Sequence, residues 1–264
     1  MPRNAFTKTL WDNRRVLVAW ITATTLVALM YSGFYPQISG GSLADAADGM
    51  PASMREAFNL DDLTSAAGYL QSSPFGILVP LLVMFYGAAT GARMISADEE
   101  SGYLDLLLAH PLGRTRLLLQ RFAALATGSV LIAGVVLLSM LAIRGGAELD
   151  AITPAQFTAQ CLSLALLSIT FGALAIALGA AFSRGRALVF GVTGGAGVLA
   201  YAVNSFAPVI SAGWLRKVSP FYYYIGGEPL KNGFQWGHLA ILAAISLILV
   251  TAGTWTFNRR DIAA

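Results

Sequence analysis

The sequence predicts an all-α polytopic membrane protein with six transmembrane helices in a single transmembrane domain, residues 1–264. Three observations carry that prediction. Hydrophobic residues make up 56% of the chain and charged residues only 12%, against about a quarter charged in soluble domains. The apolar residues gather in runs of about twenty, the length that crosses about 30 Å of hydrocarbon. Those runs are continuously apolar rather than alternating, which sets aside a transmembrane barrel.

Taken in order, Asn4 to Arg15 is polar and basic with Phe6, Leu10 and Trp11 near one helical face, which predicts a short interfacial helix feeding span one, about 16–34. A cleavable signal peptide competes with that reading. The apolar run is long for a signal core and no small-x-small site closes it, so retention is favoured. Tyr35 to Ser73 reads as a long polar loop with a short amphipathic helix around Met54 to Tyr69, carrying Leu60, Leu63, Ala67 and Leu70. Span two is about 75–95, with Pro74 at its start and Pro80 in its first turns. Spans three to six are about 122–143, 157–182, 187–209 and 237–257. A tight turn, Ser183 to Arg186, joins four to five, and a longer loop, Ile210 to Trp236, joins five to six.

An even number of spans puts both termini on one side. Twelve of the seventeen Lys and Arg residues fall in the N-terminal segment, the second-to-third connection, the Arg184 turn and the C-terminal segment. The positive-inside rule makes that side, with both termini, cytoplasmic. No Asp, Glu or Lys falls inside a predicted span, and Arg93 and His238 lie near span ends. Ion-coupled transporters need ionisable relays at the midplane, and the absence of such residues argues against them and against a channel built on rings of charge. There is no phosphate-binding Gly-rich loop ending in Lys-Ser or Lys-Thr. Cys161, the sole cysteine, reads as a small buried hydrophobe, and His110 and His238 have no ligand-spaced partners. The sequence therefore predicts no catalytic residue, metal or cofactor on this chain. Uphill transport would need an energy source on a partner.

The charged stretch from Ser96 to Arg121 is the place to receive it. Asp98, Glu99 and Glu100 sit between two strongly apolar segments, and burying three carboxylates at mid-bilayer would cost roughly 7–10 kcal/mol. Ser96 and Glu99 fit a capping box, and the acids lie where a helix dipole favours them. Leu104, Leu107 and Leu108 then share a face, Asp105 turns away, and Pro111 and Gly113 stop the helix. Two turns are too short to stand alone. The pattern fits equally an interfacial helix on lipid, with Arg114, Arg116 and Arg121 meeting headgroups, and a helix that docks a protein.

The run Glu99-Glu100-Ser101-Gly102-Tyr103-Leu104-Asp105-Leu106-Leu107-Leu108-Ala109-His110-Pro111-Leu112-Gly113-Arg114 resembles the signature of type-2 ATP-binding cassette (ABC) permeases. Tyr103 stands where Thr is usual and Gly113 where Ser or Thr is usual. The basic elbow, the six spans, Ser219-Pro220-Phe221-Tyr222 in the last outer loop and the tail Phe257-Asn258-Arg259-Arg260-Asp261 are similar to that family too. The resemblance implies an exporter subunit in a bacterial plasma membrane that forms the translocation path. It implies a separate ATPase subunit, carrying ATP and Mg, docked on the short cytoplasmic coupling helix between spans two and three. Glu99, Glu100, Gly102, Leu104, Leu107, Leu108, Pro111 and Arg114 would make that contact. It also implies a second permease chain, identical or not, since six spans are half the usual complement. The alternatives are a membrane sensor or assembly module that needs no ATPase, and a membrane-embedded lipid-handling enzyme.

Two further sets of residues stand out. Gly87 with Gly91, and Gly191 with Gly195, form small-xxx-small faces that serve packing within the chain or a dimer seam. Phe221, Tyr222, Tyr223 and Tyr224 in the outer loop, beside Trp214 and Trp236, read as interfacial belt residues, with substrate exit at Phe221, Tyr222 and Tyr223 as the sharper alternative.

Overall fold

The computed structural model describes residues 5–38, 62, 65–97, 113–182 and 185–259. Among them every regular element is helical. The chain begins with α1 (Ala5–Gly33) and the short α2 (Tyr35–Ile38). A jointed rod follows: α3 (Ala66–Ser72), a π-helical turn (Pro74–Leu78), α4 (Val79–Ala92) and a second π-helical turn (Arg93–Ala97). Then come α5 (Arg114–Ile143), α6 (Pro154–Ala181) and α7 (Arg186–Phe206). A compact hairpin of a 3₁₀ turn (Gly213–Val218), α8 (Pro220–Ile225) and α9 (Pro229–Asn232) leads into α10 (Trp236–Arg259). Six of these rods, counting Ala66–Ile95 as one, are long and apolar enough to cross a membrane.

The centre of the bundle is α6. Thr153 and Gln156 close a capping box at its start, with Pro154 in the first turn. Between helices in lipid the hydrophobic effect gives little drive, so close approach and hydrogen bonds decide the packing. The α4–α6 seam shows this. A methyl group added at Gly87 would run into the Ser168 carbonyl, and one at Gly91 would lie 2.5 Å from the Gly172 carbonyl oxygen. Ser168 also shares a 2.9 Å hydrogen bond with Ser129 of α5, and Thr170 shares one of 3.0 Å with Ser246 of α10. On α10 the buried residues are Leu239, Leu242, Ser246, Val250, Gly253 and Phe257, a three-and-four spacing that lays one stripe on the bundle. On α1, Thr24, Ala28 and Ser32 are fully buried one turn apart, and Ser32 donates to the Met140 sulfur of α5 at 3.3 Å.

Four boundaries differ from those the sequence predicts. First, no separate interfacial helix precedes span one. Residues 5–32 contain neither glycine nor proline, so α1 runs unbroken. Phe6 and Leu10 pack inward while Trp11 is 61% exposed, with the Arg14 guanidinium 4.2 Å from its ring centre. Second, the second rod starts at Ala66, inside the predicted loop, because Ser65 caps it by accepting from the Gly68 N–H. Of the amphipathic helix placed around Met54 to Tyr69, residues 54–61, 63 and 64 lie outside the described residues. Third, α5 begins at Arg114 rather than near Phe122, because the first helix breaker on that side is Gly113. Arg121 is therefore a buried helical residue and not part of a loop. Fourth, the connection between spans five and six is folded. Ser219 caps α8 with Pro220 in its first turn.

The α4–α6 seam yields a contrast. Gly87→Ala should destabilise the chain by about 1–3 kcal/mol, since the collision is with backbone. Gly191, which faces open space on α7, should accept alanine within about 0.5 kcal/mol. Thermal unfolding of the purified variants in detergent measures both.

Candidate functional site

Among the described residues the chemistry-bearing ones gather at the two ends of the bundle, and the middle carries none that ionises at neutral pH. At one end the starts of α1 and α5 meet the last turn of α10. The Ala5 N–H donates to Gln120 Oε1 at 3.2 Å, and Asn258 Nδ2 donates to Thr115 Oγ1 at 2.8 Å. Arg114 donates to the Phe257 carbonyl at 3.3 Å, and its guanidinium stands 6.0 Å from the Phe257 ring centre. Phe257 is itself buried against Met94, Ile95, Leu117 and Leu118. The two segments singled out by resemblance, Arg114 and Phe257-Asn258, thus touch although they are far apart in sequence. Both described ends of the charged stretch, the π-turn at Arg93–Ala97 and Arg114, are rooted in this apolar platform. The first turns of α1 carry Lys8, Arg14 and Arg15, the first turn of α5 carries Arg116, and Arg259 ends α10. Beside it a cleft of about 650 Å³ opens between Phe6 and the face of α5 bearing Thr115, Arg116, Leu119 and Gln120. Of the predicted coupling residues, Arg114 is described. Glu99, Glu100, Gly102, Leu104, Leu107, Leu108 and Pro111 lie outside the described residues, as does the predicted coupling helix.

At the other end the hairpin between α7 and α10 packs into the bundle. Phe221 is buried, its ring 5.7 Å from that of Phe171 and 5.4 Å from that of Tyr201. Tyr222 and Tyr223 are half-buried and meet the His238 ring at 5.5 Å each. Trp214 and Trp236 are both 69% exposed, as an interfacial belt requires. Ser219 Oγ donates to the Ala200 carbonyl at 2.8 Å, which fastens the hairpin to α7. Of the four consecutive aromatics, then, Phe221 is core and Tyr222 and Tyr223 form the rim. Tyr224, which the sequence reading grouped with the belt, is fully buried and donates to the Phe75 carbonyl at 3.0 Å. The helical period flagged by Ser219-Pro220 would have separated the buried pair, Phe221 and Tyr224, from the other two.

Sequence reasoning also missed an ionic clamp at this end. Lys231 Nζ lies 3.0 Å from Asp62 Oδ2 and 3.3 Å from Glu228 Oε1. Asp62 also accepts from Ser65 Oγ at 2.7 Å, and Gln156 Nε2 donates to the Lys231 carbonyl at 2.6 Å. Burial pushes the Asp62 carboxyl up, but hydrogen bonds from Ser65 and Lys231 and the Lys231 charge outweigh it, and its pKa falls below the ordinary value. Burial likewise lowers the Lys231 ammonium, but Asp62 and Glu228 outweigh it and its pKa rises. Among the described residues no three His, Cys, Asp or Glu side chains come together as a metal site.

The four glycines divide. Gly87 and Gly91 are buried in the α4–α6 seam, whereas Gly191 and Gly195 lie in the open on α7 beside exposed Leu188, Val192 and Leu199.

Six apolar rods and, among the described residues, a charge-free middle with a basic platform at one end define a polytopic helical membrane protein. Over residues 5–258 the chain matches the family described as multidrug efflux system permease Rv1217c, C-terminal domain, and it belongs to that family. That membership agrees with the type-2 ABC permease signature in its sequence. No curated protein matches the chain.

The clamp has a defined pH window. The folded pKa of Asp62 lies below its unfolded value of about 3.9, so its contribution holds above that value and is lost as pH falls through the folded pKa. That of Lys231 lies above about 10.4, so its contribution holds below that value and is lost as pH rises through the folded pKa. Asp62 is 41% exposed, so Asp62→Asn should weaken the hairpin by less than about 1 kcal/mol at neutral pH. The two proteins should converge as pH falls through the folded pKa of Asp62. Thermal unfolding of both across that range checks the window.

Proposed function

We propose that this chain is the membrane-spanning permease subunit of an ABC exporter. It supplies the translocation path and the mechanical coupling, while a separate ATPase subunit hydrolyses ATP with Mg. The observation that carries this reading is the family match over residues 5–258, taken with the contact it makes intelligible. Arg114 closes the signature run, Phe257-Asn258 opens the tail, and these two segments join in one platform.

On this reading the basic end faces the cytoplasm, as the positive-inside rule requires of twelve of the seventeen Lys and Arg residues. The membrane is the plasma membrane of a bacterium. Glu99, Glu100, Gly102, Leu104, Leu107, Leu108 and Pro111, with Arg114, make the contact with the ATPase subunit. A second permease chain, identical or not, completes the path, and the open apolar face of α7 with Gly191 and Gly195 supports such a seam. The cargo is an amphiphile carrying no obligatory charge, because among the described residues the buried interior, apart from Arg121 near the basic end, offers Ser, Thr, Gln and Asn rather than ionised partners. Substrate exit beside Tyr222 and Tyr223 is compatible with their place at the rim, with Phe221 forming its floor.

Reversing two charges tests the coupling. Glu99→Lys with Glu100→Lys should leave the chain inserted at its normal level but reduce capture of the ATPase subunit about tenfold or more, the effect of truncated contacts at a small interface centre. Co-purification measures it, and undiminished capture would remove the coupling assignment.

A further inference from the structure

The joint in span two has an unusual chemical feature. At the π-helical turn Pro74–Leu78 the Val79 N–H bonds to the Pro74 carbonyl, five residues back. The Phe75 carbonyl therefore loses the donor four residues on, which is Val79. Its π-helical donor, five residues on, would be Pro80, which has no N–H. Phe75 is fully buried, and a buried carbonyl without a donor is costly in hydrocarbon. The Tyr224 hydroxyl of α8, also buried, donates to that carbonyl at 3.0 Å. The hairpin grips the joint from its other side as well: Gln71 Nε2 of α3 donates to the Ile225 carbonyl at 3.2 Å. Gly76 lies within the joint, where a methyl group would stand 2.5 Å from the Gln71 carbonyl oxygen, so the bend leaves no room for a side chain.

We propose that Tyr224 is a positioning residue whose hydroxyl replaces the backbone N–H that Pro80 lacks, and so locks the bend of span two to the hairpin. Straightening or sliding the joint re-registers the carbonyls of residues 74–76 and removes the need for Tyr224; withdrawing Tyr224 forces the joint to find another donor. The position of the hairpin and the register of span two are thus one variable. Span two carries that variable along α4 to its second π-helical turn, Arg93–Ala97, where Met94 and Ile95 are packed in the basic-end platform. π-Helical turns inside helices recur at functional sites, and this rod has one at each end of α4. The mechanical consequence for transport rests on the proposed function; the lock itself does not.

A double-mutant cycle tests it on the full chain in lipid nanodiscs: the parent, Tyr224→Phe, Pro80→Ala and both together, compared by hydrogen exchange of residues 76–83. Tyr224→Phe should speed exchange there about tenfold, the upper range for one hydrogen bond. Adding Pro80→Ala, which returns an N–H to the backbone, should bring exchange back to within about twofold of Pro80→Ala alone. If Tyr224→Phe lowers the yield of folded protein too far to measure, recovery of yield in the double variant serves as the readout. Additive effects, no effect of Tyr224→Phe, or no recovery in the double variant would each overturn the lock, since a hydroxyl needed for packing alone is not replaced by a change in another helix. Dye efflux from cells producing the parent chain with its partner reports separately on the transport reading. Its absence would refute that reading and leave the exchange cycle to decide the lock.

Discussion

Backbone meets backbone where α4 crosses α6, and the other helices take their places from that contact. At Gly87 and Gly91 a side chain of any size would strike the carbonyls of Ser168 and Gly172. The same short stretch of α6 then organises its remaining neighbours. Gly172 receives the Leu125 side chain of α5, Thr170 bonds to Ser246 of α10, and Ala177 sits against Gly253 of α10. Because lipid tails are as apolar as leucine, such close approach supplies van der Waals contact that a bulkier interface would lose to lipid. The central helix is accordingly rich in Ala, Ser, Thr and Gly, and its buried Phe157, Leu164, Leu167 and Phe171 fill the core between those close approaches.

That division explains the surfaces. Helices α4 and α6 are largely enclosed, while α1, α7 and α10 each turn a broad apolar face outward. On α7 the inward residues include Thr193, Gly194, Gly197, Asn204 and Ser205, and the outward ones include Leu188, Val192, Leu199 and Phe206. A helix with its polar and small residues inside and its leucines outside inverts the pattern of a soluble helix. Its outer face requires an apolar medium, lipid or another chain.

The six rods were legible in the sequence because length and continuous hydrophobicity are direct consequences of the bilayer. Their ends were not. Arg114, Arg116 and Arg121 look like loop residues by charge, yet arginine is a good helix former and its long stem can cover apolar surface, so α5 extends through all three. The unbroken α1 was hidden for a similar reason: polarity changes at Arg15, but helical propensity does not. In the hairpin, four successive aromatics gave an interfacial reading, and only the period of α8 shows that Phe221 and Tyr224 turn inward. The clamp of Asp62, Lys231 and Glu228 was illegible because nothing in the sequence brings a residue before span two to one between spans five and six. Resemblance, rather than pattern, linked Arg114 with Phe257, and the structure brings those two into contact.

A membrane protein whose middle lacks ionised groups must pass a signal between its ends by moving helices, since no chain of charges is present to carry it. The rigid seams restrict which helix can serve. Along α6, contacts on several faces resist sliding. The rod of span two is different: it has a π-helical turn on each side of α4, and each turn lies against a different end of the bundle. Phe75 meets Tyr224 at the hairpin, and Met94 and Ile95 meet Phe257 and Leu118 at the platform. Between these joints α4 is pinned to α6 at Gly87 and Gly91, so the seam acts as a fulcrum rather than a track. A small change of register at one joint can then appear at the other as a tilt about that fulcrum, with no buried charge required to move.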